Sequence, residues 1–232
     1  ADIALAYVKY TKGDLREVYR LLTQAIDLAR HLDDKEVLWR AATIFLAGMT
    51  APQHTKERIR LLEELWASSR SGLTVRLALL FIGDAFLSSG QRQRAEEAWG
   101  ELRGLATRTR DITFELQSAV TDAALASIDG RLEDAVHTAE SIQTRGEEAG
   151  ILGMALVYVS LAGRRAQVYL GASLEALERE LRGQLADAPE AVNVQLCLVL
   201  AHLGRKEEVS EILERYVVKR PGIGTVEDET GS

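Results

Sequence analysis

Apolar residues recur along most of the chain at intervals of three and four, the period of a helix with one buried face. Leu15, Val18, Leu22, Ala25, Ile26 and Ala29 make one such stripe; Val37, Leu38, Ala41, Ile44 and Phe45 make another; Ile59, Leu62, Leu65 and Trp66 make a third. The pattern predicts helices near 1–11, 14–31, from Asp33-Asp34 onward, 73–89, 91–107, 111–128, 132–148 and from Pro189 to near Val218. Asp111 reads as a helix cap, and Thr55 as another, with Arg58 three residues on where a capping box would have an acid. Two stretches are apolar nearly all round. Leu73–Ser89 should be a helix buried on two sides. Ile151–Leu161 resembles a strand by eye, but Val157 and Val159 sit inside a continuous pattern and predict helix. Ser68 to Gly72 reads as a joint. Residues 219–232 are polar and glycine-containing and read as a flexible tail, which leaves 1–218 as one helical repeat domain.

The helices come in register. Gly13 precedes Val18, Gly90 precedes Ala95, Gly130 precedes Ala135, Gly171 precedes Ala176 and Gly204 precedes Val209, each as Gly-x4-[Ala/Val]. His54, before Ile59, stands where one copy lacks its glycine, beside the turn signal Ala51-Pro52. The anchors 13, 54, 90, 130, 171 and 204 lie 41, 36, 40, 41 and 33 residues apart, a spacing that predicts stacked helix pairs. Glycine accepts the left-handed backbone that ends one helix, and the next helix starts at once. Seven residues before the anchors stand Ala6, Ala47, Gly83, Ala123 and Cys197, all small enough for a close helix crossing. Arg164 breaks that series. Either Gly163 takes the small slot there, or the arginine has a special place.

Small residue, then Gly-x-Leu-x-x-Ala at the turn, as in Ala123, Gly130, Leu132 and Ala135, resembles the tetratricopeptide repeat. The length and degeneracy of the repeats also resemble those of large bacterial regulators, such as MalT-like transcription activators and multidomain cyclases. The resemblance implies an all-α fold: a right-handed superhelical stack of about six antiparallel helix pairs, an α-solenoid. It implies too that the first helix of each pair lines a groove, at 13, 10, 6 and 3 residues before the turn. Carried over, those positions are Tyr7 and Tyr10; Ile44 and Gly48; Leu77, Leu80, Asp84 and Leu87; Gln117, Val120, Ala124 and Ser127; and Tyr158, Leu161 and Arg165. The set is mainly apolar, with Asp84, Gln117 and Arg165 to orient what lies in it, and it has no row of Lys, Arg and Asn to clamp a terminal carboxylate.

Composition narrows the chemistry. The net charge is −7, and the basic residues, 22 Arg and 6 Lys, are scattered among acids. That is not the clustered basic stripe of a nucleic-acid footprint, and it gives no support for an anionic membrane surface. No apolar run is long enough to span a bilayer, and there is no signal-peptide pattern. The single cysteine, Cys197, fits a reducing, cytoplasmic setting and reads as a buried small residue. His31, His54, His137 and His202 form no metal motif and read as surface or cap residues. Adjacent acids such as Glu63-Glu64 diverge by about 100° on a helix, so they are expected on solvated faces rather than as a catalytic pair. No nucleophile elbow or catalytic constellation occurs, so the expectation is a chain that is not an enzyme and takes no cofactor. The opening at Ala1-Asp2-Ile3, in mid-pattern, reads as the edge of a segment of a longer protein.

Three functional expectations follow. The first is an interaction module that binds a protein, a peptide or a neighbouring domain of the same chain, as part of a bacterial signalling or transcription regulator. The second, which the MalT-like resemblance implies, is a sensor of a small effector, with Arg164 and Arg165 meeting an anion. The third is a structural stack or homodimer joined through Leu213, Tyr216 and Val217.

Overall fold

The computed structural model describes residues 2–11, 15–50, 52–68, 73–171, 173–184 and 189–215. The turn at Gly13, the joint from 69 to 72, the Asp187-Ala188 step, Tyr216, Val217 and the tail fall outside them, as do the side chains of Tyr7, Tyr10, Leu15 and Leu77. The described residues are helical, with no strand among them. The first helices are α1 (Asp2–Thr11), α2 (Leu15–His31), α3 (Lys35–Gly48), α4 (Thr55–Ala67), α5 (Leu73–Ser88) and α6 (Arg92–Thr109). There follow α7 (Ile112–Ile128), α8 (Leu132–Glu148), α9 (Leu152–Ala162), α10 (Arg164–Tyr169), α11 (Leu174–Gln184), α12 (Pro189–His202) and α13 (Lys206–Leu213). The apolar run is helix from Leu152 on, with Ile151 at the cap, as its continuous pattern predicts. The chain divides into two compact units, with the boundary between Leu102 and Arg103.

The turns are built as the glycine register requires. At Gly130, φ is +77°, and the amides of Gly130 and Arg131 bond back to the carbonyls of Ser127 (3.2 Å) and Ala126 (2.8 Å). This closes the carbonyl end of α7, and the second bond, reaching back five residues, depends on the left-handed glycine. Gly90 and Gly204 repeat the same pair of bonds. Between helix pairs, Asp33 (φ 50°) and Arg110 (φ 52°) take left-handed backbone without being glycine. Asp34 and Asp111 then cap α3 and α7, accepting from the amides of Val37 (3.0 Å) and Thr113 (2.8 Å). Thr55 is not a cap. A short 3-10 turn at Pro52–His54 puts His54 in the cap position, and its side chain makes no capping bond.

In the first unit α2 buries Val18, Leu22, Ala25, Ile26 and Ala29, the predicted stripe, and α3 adds Trp39, Phe45 and Leu46. On α4 the buried face is Leu61, Leu62 and Leu65; Ile59, expected there, is exposed. α5 packs against both α3 and α4. The indole of Trp99 on α6 lies over Gly83, where a Cβ would overlap it, and donates to the Leu80 carbonyl (3.2 Å). Contact with neighbours on more than one side is what an all-round apolar helix needs. Glu63 and Glu64 diverge as adjacent helical residues must. Glu64 pairs with Arg30 of α2 (2.6 Å) and Glu63 with Arg94 of α6, whose guanidinium lies 4.1 Å from the Phe86 ring centroid.

In the second unit α7 packs on α8, α8 on α9, and α7 also on α9. The core is alanine-rich: Ala123, Ala126, Ala135, Ala139, Ala155, Ala162 and Ala166 surround Leu116, Val120, Ile142 and Val159. A second cluster joins Val168, Leu177, Leu181, Leu196, Val199 and Leu200. Both answers to the Arg164 question hold. Gly163 separates α9 from α10 and lies against α8, where a Cβ would overlap the Ala139 methyl. Arg164 turns the other way. It is 1% exposed and pairs with Glu180 of α11 (2.7 Å), with Gln167 accepting a second bond (3.1 Å). Within each unit the first helices of successive pairs touch, α1 with α3 and α3 with α5 in one, α7 with α9 and α9 with α12 in the other.

Candidate functional site

Two of the residues expected in the groove come together in the second unit. Gln117, from the middle of α7, donates through Nε2 to the hydroxyl of Tyr158 on α9 (3.2 Å). Gln117 is only 7% exposed, and its Oε1 has no partner. Burial pushes the Tyr158 hydroxyl above its ordinary pKa, with the Gln117 bond pulling it back, so the phenol stays protonated and keeps its own proton to give. Beside this pair, one helical turn apart on α9, Val157 and Leu161 reach solvent, Leu161 at 64% exposure. Buried polar groups are normally paired. The Gln117 Oε1 is itself enclosed, so the part that can meet a backbone segment is the half-buried Tyr158 hydroxyl, with Val157 and Leu161 exposed beside it.

Of the other groove positions, Leu161 lies on this strip, and Tyr158 packs against the core cluster that holds Val120. Arg165 is exposed on α10, and Val120 is buried in the core. In the first unit Asp84 is exposed on α5, one turn beyond the partly buried Leu80, whose carbonyl is taken by Trp99. Neighbouring groups desolvate the Asp84 carboxyl and push its pKa up, while the charge of Arg58 pulls it down. Tyr7, Tyr10 and Leu77 lie where no side chain is described. Arg164, expected as an anion-binding cation, already has its charge met by Glu180.

A second polar site was not foreseen. At the start of α4 a cleft of ≈ 190 Å³ lies between Thr50, Thr55, Arg58 and Ile59 on one side and Ser88 and Ser89 of α5 on the other. Leu62 and Ala85 form its floor. Arg58, in the first turn of α4, is 9% exposed; its one hydrogen bond runs from Nη2 to the Leu46 carbonyl (3.2 Å), and its Nε has no partner. His54 is buried next to it, stacked on Tyr19 at 4.8 Å and edge-on to Phe45. Burial, and then the Arg58 charge, hold the His54 imidazole below its ordinary pKa, so it is neutral. Sequence spacing marks these positions only as a turn. What would have flagged them is Arg58 standing at a capping-box position, on a helix whose buried face includes it.

Cys197 is half-buried rather than buried, and burial raises its thiol pKa. Among the described residues no group of His, Cys, Asp and Glu is placed to hold a metal ion, and no helix is long and apolar enough to cross a membrane. No protein-family model, no curated protein and no solved structure matches the chain.

Proposed function

We propose that the chain is a helical-repeat interaction module of tetratricopeptide type, without enzymatic activity, which docks an extended protein segment or a neighbouring domain of its own chain. The observation that carries this reading is the Gln117–Tyr158 pair beside exposed Val157 and Leu161. The Tyr158 hydroxyl donates to a backbone carbonyl of the incoming segment, the enclosed Gln117 amide holds that hydroxyl in place, and the apolar strip takes a side chain. The repeated turn glycines support the wider architecture, a right-handed superhelical stack of about six pairs. The lone, unpaired cysteine suits a cytoplasmic setting, and the resemblance to regulator repeats supports reading the module as part of a bacterial signalling or transcription protein. Exposed Leu213 fits the rival homodimer reading, whose other residues, Tyr216 and Val217, lie outside the described ones.

A displayed peptide library panned on the protein, with Leu161→Asp as the counter-selected control, tests the docking reading. Because Leu161 is exposed, Leu161→Asp should leave Tm unchanged and weaken an enriched peptide about tenfold, roughly 1.4 kcal/mol. Arg165→Glu should also weaken it without melting the fold. Enrichment only of peptides that bind wild type and Leu161→Asp equally would remove the reading.

A further inference from the structure

The cleft at the start of α4 is distinct from the α9 strip and shares no residue with it. Its informative feature is a mismatch of charge. Other deeply set arginines are matched: Arg164 by Glu180, and Arg30 by Glu64 at 2.6 Å. Arg58 is nine-tenths buried, has a single carbonyl bond and an unpartnered Nε, and no carboxylate among the described residues lies within ion-pair distance of it. A guanidinium does not lose its proton to escape this, so a buried one calls for a counter-charge. Arg58 lines the cleft.

From this we infer that the cleft is a binding site for a small aliphatic monocarboxylate. The α4 side supplies the anion-binding groups. Beyond the enclosed Nε and the bond given to Leu46, the Arg58 guanidinium keeps terminal N–H donors for a carboxylate. The first turn of α4, entered at Thr55, begins at His54 without a side-chain cap, so its amides lack the acceptor a cap would give, and the helix start favours negative charge. The hydroxyls of Thr50 and Thr55 are free to donate. The α5 side offers no such donors, because the Ser88 and Ser89 hydroxyls give their protons to the carbonyls of Ala85 (3.1 Å) and Phe86 (2.9 Å). The carboxylate therefore sits toward α4, and a short hydrocarbon stem lies on Ile59, Leu62 and Ala85. A single negative charge fits best: His54 is neutral, and the Asp84 carboxylate close by already offsets part of the Arg58 charge, which disfavours a dianion such as a phosphate monoester.

The test is a titration of the whole chain with butyrate, with phosphate and chloride at matched ionic strength, followed by backbone amide NMR. Butyrate should shift the resonances of residues 54–59 and 85–89 saturably, with half-saturation about tenfold below that for phosphate. Arg58→Gln should abolish the saturable response. Should that variant fail to fold, Thr55→Glu decides. It changes an exposed residue and places a carboxylate three residues before Arg58, so it should raise Tm and leave butyrate without effect. Linear, non-saturating shifts, or an undiminished response in Thr55→Glu, overturn the site. A stronger response to phosphate overturns the monocarboxylate assignment.

Discussion

At the scale of single residues, the two buried arginines show how differently a charge can be accommodated. Arg164 is held by Glu180, whose side chain is itself 41% exposed. The partners are therefore unequal: a carboxylate left alone returns to water, whereas a guanidinium left alone stays buried. Glu180→Gln should cost about 1–3 kcal/mol, because it strands that charge, and Arg164→Met should cost less. Chemical denaturation of both variants checks the order, and the reverse order would show that Arg164 is kept for its packing. His54 makes a second residue-scale prediction. Its pKa is depressed in the fold, so the unfolded chain binds the proton first as pH falls. Stability is therefore full above the ordinary imidazole range and is lost as pH drops from about 6.5 toward the lower folded value. Asp84, pushed the other way, has the opposite sign, but it acts around the carboxylate range. Tm should fall between about pH 7 and pH 5, and His54→Phe, which keeps the stacking on Tyr19, should flatten that slope. An unchanged slope would assign the proton elsewhere. Neither Arg58 nor His54 was legible in the sequence as a buried group. Each is held by residues elsewhere in the chain, the Leu46 carbonyl for one, Tyr19 and Phe45 for the other, and helical periodicity carries no such information.

At the scale of helices, legibility was much better, for a physical reason. Turn glycines and acidic caps act within five residues of themselves, so α7 and α8 begin and end where their own sequence says. The small-residue slot is nearly as local. It reads correctly at Ala6, Gly83 and Ala123, which are buried. It fails in the fifth pair because two adjacent residues divide the work there, Gly163 against α8 and Arg164 toward α11. Thr55 was misread because the 3-10 turn before it moves the cap back by one residue. The Gly163 crossing can be tested as an element-level fit. Gly163→Ala should cost about 1–3 kcal/mol by overpacking Ala139, since φ at −121° imposes no backbone penalty. The double variant with Ala139→Gly should recover most of the loss. Thermal or denaturant unfolding of the three proteins reads this directly, and additive losses in the double variant would show that the two residues do not meet.

At the scale of the whole molecule, the repeat reading makes a claim that no single contact can make. In a stack of helix pairs each pair is stabilised by its neighbours, so a local loss should spread only locally. Contacts within each unit run between adjacent and alternate helices, and between α9 and α12, and the two units divide at Leu102. Amide hydrogen exchange can follow this with two overpacked glycines, one in each unit. Gly83→Ala, which collides with Trp99, should speed exchange across α3 to α6 and leave α8 to α11 near wild-type protection. Gly163→Ala should do the reverse, exposing α8 to α10 while α2 to α4 hold. Partial unfolding of this kind would also appear as denaturant transitions that differ between tryptophans in the first unit, Trp39, Trp66 and Trp99, and far-ultraviolet dichroism of the whole chain. Equal loss of protection everywhere from either substitution would mean one cooperative core. The spacing of the turn glycines would then describe how the chain is folded back on itself, and no longer how its stability is shared.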